Sequence, residues 1–146
     1  MLLLAVSACL FAQDFNSERN AWANYIQRMY KAQPFEGVRL VDNEDGVYLI
    51  SVLSLDESRY RGSRSTMYRV ASTKAMSQAN SFFNEPKVST STIIRTREDE
   101  EGEPITEEWT SIIEKNASFV KGLELIRTFK DEDGRTVFIY ASKIEK

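Results

Sequence analysis

The chain has 146 residues, of which 42% are hydrophobic and 28% are charged, and its net charge is −3. This size and composition fit one domain that buries its own core without metal or disulfide cross-links. The charge balance gives no electrostatic reason to expect nucleic acid as a partner. The single cysteine, Cys9, excludes an intramolecular disulfide, and the lack of histidine excludes imidazole bases and the usual zinc ligand sets. An enzyme would have to work with carboxylates, Lys, Tyr, Ser or Thr, and we predict no metal, no cofactor and no enzymatic activity.

An uncharged apolar leader opens the sequence. Residues 1–13 contain no charged side chain, and an almost unbroken apolar run extends from Leu2 to Ala12. This run is too short to span a bilayer as a helix, but it matches the hydrophobic region of an export signal. The residues Val6-Ser7-Ala8-Cys9 resemble a lipobox, which would make Cys9 the lipidated first residue of a bacterial lipoprotein.

Two other interpretations of the leader stay open. In the first, cleavage near Ala12 or Gln13 releases a soluble periplasmic or secreted protein. In the second, the apolar run is a buried N-terminal strand or helix of the folded domain. We predict an export signal over residues 1–13 and one α+β domain over residues 14–146. The protein is then periplasmic, associated with the outer membrane, or secreted.

A helix and a hairpin are predicted next. Asn16 or Ser17 can cap a helix that runs to about Lys31, with apolar residues at spacings of three and four. Residues 38–41 and 47–55 are predicted strands, joined by an Asp-Gly turn. The second of these strands is apolar on both sides, which is typical of a central strand or of one that is covered on both faces.

A polar loop over residues 56–62 leads into a second, longer helix. This helix is predicted from about residue 64 to residue 84, with Ser63 or Ser65 as its cap, and Pro86 ends it. Its apolar residues recur every four positions, and most of them are small, so the helix backbone can lie close to a sheet. The stripe consists of Met67, Ala71, Ala75 and Ala79.

The last third of the chain is predicted to be all β, which gives the order helix, hairpin, long helix and three or four antiparallel strands. Thr106 before Glu107 and Glu108 resembles a helix start, so a helix over residues 104–115 stays open. Hairpin symmetry favours a strand there. The predicted strands cover residues 87–97, 105–113, 121–129 and 136–144.

The features between residues 68 and 144 also carry a family resemblance. An alanine-spaced helix is followed by a Ser/Thr-rich strand, by the segment Asn116–Leu123 and by the closing strand Thr136–Ala141. This arrangement resembles the LPP20-like bacterial envelope lipoproteins, although Arg69 and Lys74 only partly match the family's more basic helix. The resemblance implies a helix packed on a curved antiparallel sheet of dodecin-like shape in an exported, often membrane-anchored protein. It implies no enzymatic activity and no site residues.

The loop before the long helix is the strongest candidate binding site. A Gly/Ser turn that leads into a helix presents free N–H groups and the positive end of the helix dipole, and nearby arginines add charge-assisted hydrogen bonds. The sequence favours a solvated loop whose arginines pair with nearby acids; the alternative is a binding site for phosphate, sulfate or an acidic glycan. It is not a Walker motif, because the Gly-Lys-Ser/Thr ending is missing. The candidate residues are Arg59, Arg61, Gly62, Ser63, Arg64 and Ser65.

Acidic residues give two weaker hypotheses. The run Glu98–Glu103 has calcium-binding oxygens but lacks the spaced ligands of an EF-hand, so we predict an acidic turn. A carboxylate-based hydrolase needs two acids at a fixed distance in a cleft. Its candidates are Asp56, Glu57, Glu107 and Glu108, the last two of which point to opposite faces if their segment is a strand.

The sequence therefore predicts a non-enzymatic exported or envelope-associated domain that binds a partner or self-associates. Homo-oligomers would form through the edge strands of an open sheet. An anion- or glycan-binding module is the main alternative, and a carboxylate-based hydrolase is the enzymatic one.

Overall fold

The structure, a computed structural model, describes residues 21–96, 106–116 and 123–144. The chain divides into two compact units, Met1–Gln33 and Pro34–Lys146. Across the described ranges, no helix combines the length and the apolar character needed to cross a membrane.

Several sequence predictions lie outside the described residues. They are the export signal over residues 1–13 with its lipobox cysteine Cys9, the helix cap at Asn16 or Ser17, and the acidic turn Glu98–Glu103. All of these stay predictions.

The first unit contributes helix α1, Ala21–Ala32. The helix ends within one residue of its predicted end, and the Gln33 N–H donates to the Met29 carbonyl 2.8 Å away to close the last turn. Lys31 lies in that turn, where a cation interacts favourably with the helix dipole. The buried residues follow the predicted spacing of three and four, and they are Trp22, Ala23, Ile26 and Tyr30.

The described strands of the second unit form one five-stranded mixed sheet in the order β3-β1-β2-β5-β4. Hairpin turns join β1 to β2 and β4 to β5, so those pairs are antiparallel, as is β2 with β5. The pair β1 and β3 is parallel. The α+β class is confirmed, whereas the prediction of a wholly antiparallel sheet is wrong at this edge. The strands are β1 Gly37–Asn43, β2 Gly46–Leu55, β3 Ile93–Arg95, β4 Glu124–Lys130 and β5 Thr136–Ile144.

Strand β2 is central and apolar on both sides, as predicted. Leu49 and Leu53 face one side, Ile50 and Val52 face the other, and all four are fully buried. An antiparallel pair places directly opposite residues on the same face, so the register carries this pattern into β5, where Phe138 lies opposite Leu53. The sheet is therefore apolar on both faces at its centre.

Helix α2, Arg64–Asn84, packs on one of these faces and matches its predicted bounds. Its alanines are completely buried, which lets the helix backbone approach β2 closely. Ser51 Oγ of β2 lies 3.0 Å from the Ala75 carbonyl oxygen and 2.8 Å from the side-chain oxygen of Gln78. A hydroxyl donates a single proton, so Ser51 Oγ can donate to only one of these two oxygens. If the Gln78 amide is turned so that its NH₂ group faces Ser51, Gln78 donates to Ser51 Oγ and Ser51 donates to the Ala75 carbonyl.

Helix α3, Thr106–Asn116, corrects the strand predicted over residues 105–113. The apolar residues Trp109 and Ile113 would share one face of a strand, but their spacing of four is also the helical period, and both join the core under α2. Glu107 and Glu108 lie in the first turn, where the helix dipole stabilises acids. The local helix-start signal was therefore the correct one.

The strand predicted over residues 87–97 is also much shorter than expected. Ser89 caps a 3-10 turn over Thr90–Thr92, so only Ile93–Arg95 pairs with β1. The Ser89 N–H donates to Thr92 Oγ1, 3.1 Å away, which completes a capping box. Local side-chain hydrogen bonds therefore take the place of ladder bonds over the Ser/Thr-rich part of this segment.

The turn between β1 and β2 is held by its own polar side chains. Asp45 accepts hydrogen bonds from Tyr48 Oη at 2.7 Å and from Asn43 Nδ2 at 2.5 Å. Thr96 Oγ1 donates to Asn43 Oδ1, 2.6 Å away, and thereby ties the end of β3 to this turn. Burial, followed by the hydrogen bond to Asp45 and the charge of that carboxylate, raises the pKa of Tyr48 to about 12. The phenol therefore remains a hydrogen-bond donor throughout the neutral range.

Candidate anion-binding surface

The loop between β2 and α2 is more ordered than the polar loop predicted from the sequence. Asp56 caps a 3-10 turn over Glu57–Tyr60, and its carboxylate accepts from the Ser58 N–H at 3.1 Å and from Ser58 Oγ at 2.7 Å. Gly62 follows with a φ of +79°, a backbone conformation that favours glycine. The chain thereby reverses direction in a few residues and enters α2.

The start of α2 uses Ser63 for the helix itself. Ser63 Oγ accepts from the Thr66 N–H at 3.4 Å and lies 2.5 Å from Thr66 Oγ1. The prediction of Ser63 as a cap is confirmed, and the same hydroxyl is therefore engaged and not directed at a ligand. The N–H groups of Arg64 and Ser65 belong to the first turn, which a helix leaves without intrahelical acceptors.

Arg64 does not point to the helix start. Its guanidinium carbon lies 5.5 Å from the centroid of the Tyr68 ring, and its Nη2 donates to Tyr68 Oη at 3.2 Å. The Tyr68 ring packs edge-on against Phe138, with 5.3 Å between the ring centroids. The hydrogen bond to Tyr68 raises the pKa of Arg64 above its usual value. Arg64 is therefore a charged side chain along the helix flank, one turn away from the predicted position.

The acids of this loop have defined partners. Glu57 contacts Lys130 Nζ of β4, and this hydrogen bond, followed by the charge of Lys130, lowers the pKa of Glu57. Hydrogen bonds from Ser58 lower the pKa of Asp56. A catalytic general acid needs a raised pKa, so both shifts have the wrong direction for the acid of a hydrolase.

The other two hydrolase candidates lie in a different element. Glu107 and Glu108 are exposed in the first turn of α3, so the strand on which they would point to opposite faces does not form. Among the residues that the structure describes, no group of three or more His, Cys, Asp or Glu side chains could hold a metal ion.

Sequence reasoning missed the extent of the basic region. From residue 58 to residue 84 the chain contains no Asp or Glu, and this gap in the acids was the available signal. The helix dipole favours acidic residues in the first turn and basic residues in the last turn. Helix α2 has no acidic residue in its first turn and no basic residue in its last turn. Helix stability therefore does not explain where these charges are. The bases between residues 58 and 84 are Arg59, Arg61, Arg64, Arg69 and Lys74.

Three of these bases are exposed and lack a direct hydrogen-bond or ion-pair partner among the described residues. Arg59, Arg61 and Arg69 make no side-chain hydrogen bond or ion pair with any residue in the described part of the chain. Lys74 Nζ, by contrast, lies 4.0 Å from Glu36 Oε2. We use the name basic segment for Arg59, Arg61, Arg64 and Arg69.

A shallow groove of about 480 Å³ lies along the C-terminal half of α2, between Ser72 and Asn84. Its lining residues are uncharged Ser, Thr, Asn and Met side chains of α2 itself. Such a lining offers hydrogen bonds but no titratable group for acid–base chemistry.

Comparison with protein-family models, with curated proteins and with solved structures finds no match for this chain. The resemblance of residues 68–144 to the LPP20-like lipoproteins stays a prediction. The basic segment and its surroundings are the observations from which a function can be inferred.

Proposed function

We propose that this chain is a non-enzymatic, exported or envelope-associated domain that binds an anionic ligand through the basic segment. The observation that carries the proposal is the set of exposed arginines around the start of α2, with no acid from residue 58 to residue 84. The uncharged leader over residues 1–13 supports export.

The charge distribution supports an electrostatic role. The chain as a whole has a net charge of −3, and the five bases between residues 58 and 84 leave −8 for the remainder. A concentration of positive charge on one element of an acidic protein attracts anions to that element and repels them from the rest. The arginine side chain suits this role, because its fork of N–H donors matches phosphate, sulfate and carboxylate oxygens.

The finer structural predictions belong to the same proposal. The buried alanine stripe of α2 on the sheet supports a likeness to the LPP20-like lipoproteins and a dodecin-like arrangement. The lowered pKa values of Asp56 and Glu57 disfavour both carboxyl groups as the general acid of a hydrolase.

Replacing Arg59, Arg61 and Arg69 together by alanine is expected to weaken binding to a soluble sulfated polysaccharide by more than about tenfold. These exposed side chains make no hydrogen bond or ion pair with the described residues, so their loss should leave the fold unchanged. Titration calorimetry at low ionic strength measures the affinity, which should fall further as salt is added because exposed charges are screened.

The matched control removes three exposed bases elsewhere, through Arg28→Ala, Lys87→Ala and Lys115→Ala. Both triple variants have the same net charge, so a difference between them reports the position of the charges. If the control loses as much affinity as the first variant, or if the unaltered chain does not bind, the basic segment is not an anion-binding surface.

Self-association is the second candidate function, and the edge strand β4 favours it. Among the described strands, β3 and β4 form the two edges of the sheet. Strand β3 has only three residues, whereas β4 has seven, and its Leu125 is 37% exposed. An edge strand with an exposed large apolar residue can pair with the same strand of a second copy.

We expect Leu125→Lys to shift the chain from dimer to monomer in light scattering measured over a range of protein concentrations. A lysine on each copy would place like charges in the contact. Val70→Lys is the control, since Val70 of α2 is 36% exposed and lies away from β4. A chain that is monomeric at every concentration, or two variants that behave alike, would remove self-association through β4.

A further inference from the structure

The geometry points to an anionic phospholipid surface, and not a single bound anion, as the ligand of the basic segment. This inference rests on the proposed function and names its ligand class, the phosphate-bearing headgroups of a bilayer.

The arginines do not converge on one point. A pocket for a single anion needs several donors directed at the same position. Here the Ser63 hydroxyl caps the helix and the Arg64 guanidinium lies over the Tyr68 ring. Arg69 lies five residues beyond Arg64, about 8 Å along the helix axis. Arg69 is two positions after the buried Met67, which is a rotation of roughly 200° around the helix axis. Arg69 therefore lies on the exposed side of α2.

Binding to a charged bilayer does not require the arginines to point to one position. Its potential extends over about one Debye length, roughly 8 Å at physiological ionic strength, so dispersed bases within that distance all contribute. Each Lys or Arg near an anionic surface strengthens binding roughly fivefold. Arg59, Arg61 and Arg69 together therefore strengthen binding to an anionic surface on the order of a hundredfold.

The nearby acids reduce this charge but do not cancel it. Glu57 is occupied by Lys130, and Asp56 lies beside Arg59, whose charge contributes to the lowered pKa of Asp56. The basic segment keeps an excess of positive charge, whereas the chain outside residues 58–84 carries −8. An anionic surface therefore attracts the start of α2 and repels the rest, which fixes one orientation of the domain.

The leader supplies a second membrane signal. A single acyl chain gives only marginal, reversible membrane binding, and stable attachment needs a second contribution such as a basic patch. The lipobox-like sequence that ends at Cys9 predicts the first signal, and the basic segment provides the second. The two signals together would give more stable membrane attachment than either signal alone.

The test is cosedimentation of the full chain, as the Cys9→Ser variant, with vesicles of equal parts phosphatidylglycerol and phosphatidylcholine and with vesicles of phosphatidylcholine alone. Cys9→Ser removes the lipidation site, and any contribution of the apolar leader is common to both vesicle types. We expect binding on the order of a hundredfold tighter to the anionic vesicles. High salt, or Arg59→Ala, Arg61→Ala and Arg69→Ala in the same chain, should remove that preference.

The control variant Arg28→Ala, Lys87→Ala and Lys115→Ala should keep the preference. Equal binding to both vesicle types, or a preference that survives loss of the three arginines, overturns the inference. Retained arginine-dependent binding to the soluble sulfated polysaccharide in that case leaves the proposed function standing with a soluble polyanion as its ligand. Loss of both kinds of binding overturns the proposed function as well.

Discussion

Replacing Phe138 by alanine is expected to lower the free energy of unfolding by about 3–5 kcal/mol. Phe138 is fully buried in the first half of β5, opposite Leu53 of the central strand. Its ring contacts Tyr68 edge-on, at 5.3 Å between centroids, and lies stacked 6.4 Å from Tyr140. Alanine would lose the transfer free energy of the ring and leave a cavity that neighbouring strands are too constrained to fill.

Urea unfolding followed by circular dichroism measures this loss. The slope of the unfolding free energy against urea concentration should stay unchanged if only stability changes. Phe82→Ala is the matched control, because Phe82 of α2 is only partly buried at the margin of the core. It should lose less than about half as much, in proportion to the smaller apolar area that it buries. Equal losses at the two positions would contradict the placement of Phe138 in the core.

The elements that the sequence predicts well are those whose local pattern and packing agree. Helix α2 has a capping serine at one end, a proline just beyond the other, and a buried face with a period of four, so both of its ends are specified locally. The first six residues of strand β5 are all buried, and the strand follows a turn whose Gly134 has a φ of +80°. In such segments a single conformation satisfies propensity, turn chemistry and burial together.

The errors occur where two interpretations share the same apolar residues. Trp109 and Ile113 fit one face of a strand or one face of a helix, and only packing under α2 decides between them. The parallel pairing of β3 depends on where the chain returns after α2, which is a property of the whole path. Local sequence periodicity carries no information about that path.

The candidate site divides in the same manner. The helix start at Ser63 could be predicted, because capping is a local interaction. The position of the Arg64 side chain could not be predicted from local sequence. It depends on the packing of Tyr68 against Phe138, which is seventy positions further along the chain. Arg69 is detectable only when the charges of the whole helix are compared with those of the remaining chain.

A leucine at Ala75 should lower the free energy of unfolding by about 2–5 kcal/mol. Ala75 is fully buried, and its carbonyl oxygen lies 3.0 Å from Ser51 Oγ of β2. A larger side chain forces α2 away from the sheet, which costs packing and also separates the buried Ser51 hydroxyl from its partners. Ser77→Leu on the exposed side of α2 is the control, expected to stay within about 0.5 kcal/mol of the unaltered chain.

A double-mutant cycle separates the two contributions. Ser51→Ala alone removes a buried hydrogen bond and should cost about 0.5–1.5 kcal/mol. In the Ala75→Leu background the same replacement should cost almost nothing, because the bond is already broken there and the two changes are not additive. Additive losses would mean that α2 tolerates leucine without moving, and that the alanines are not needed for the close approach of helix and sheet. Because α2 also carries Arg64 and Arg69, the close packing at Ala75 fixes the position of the basic segment relative to the sheet.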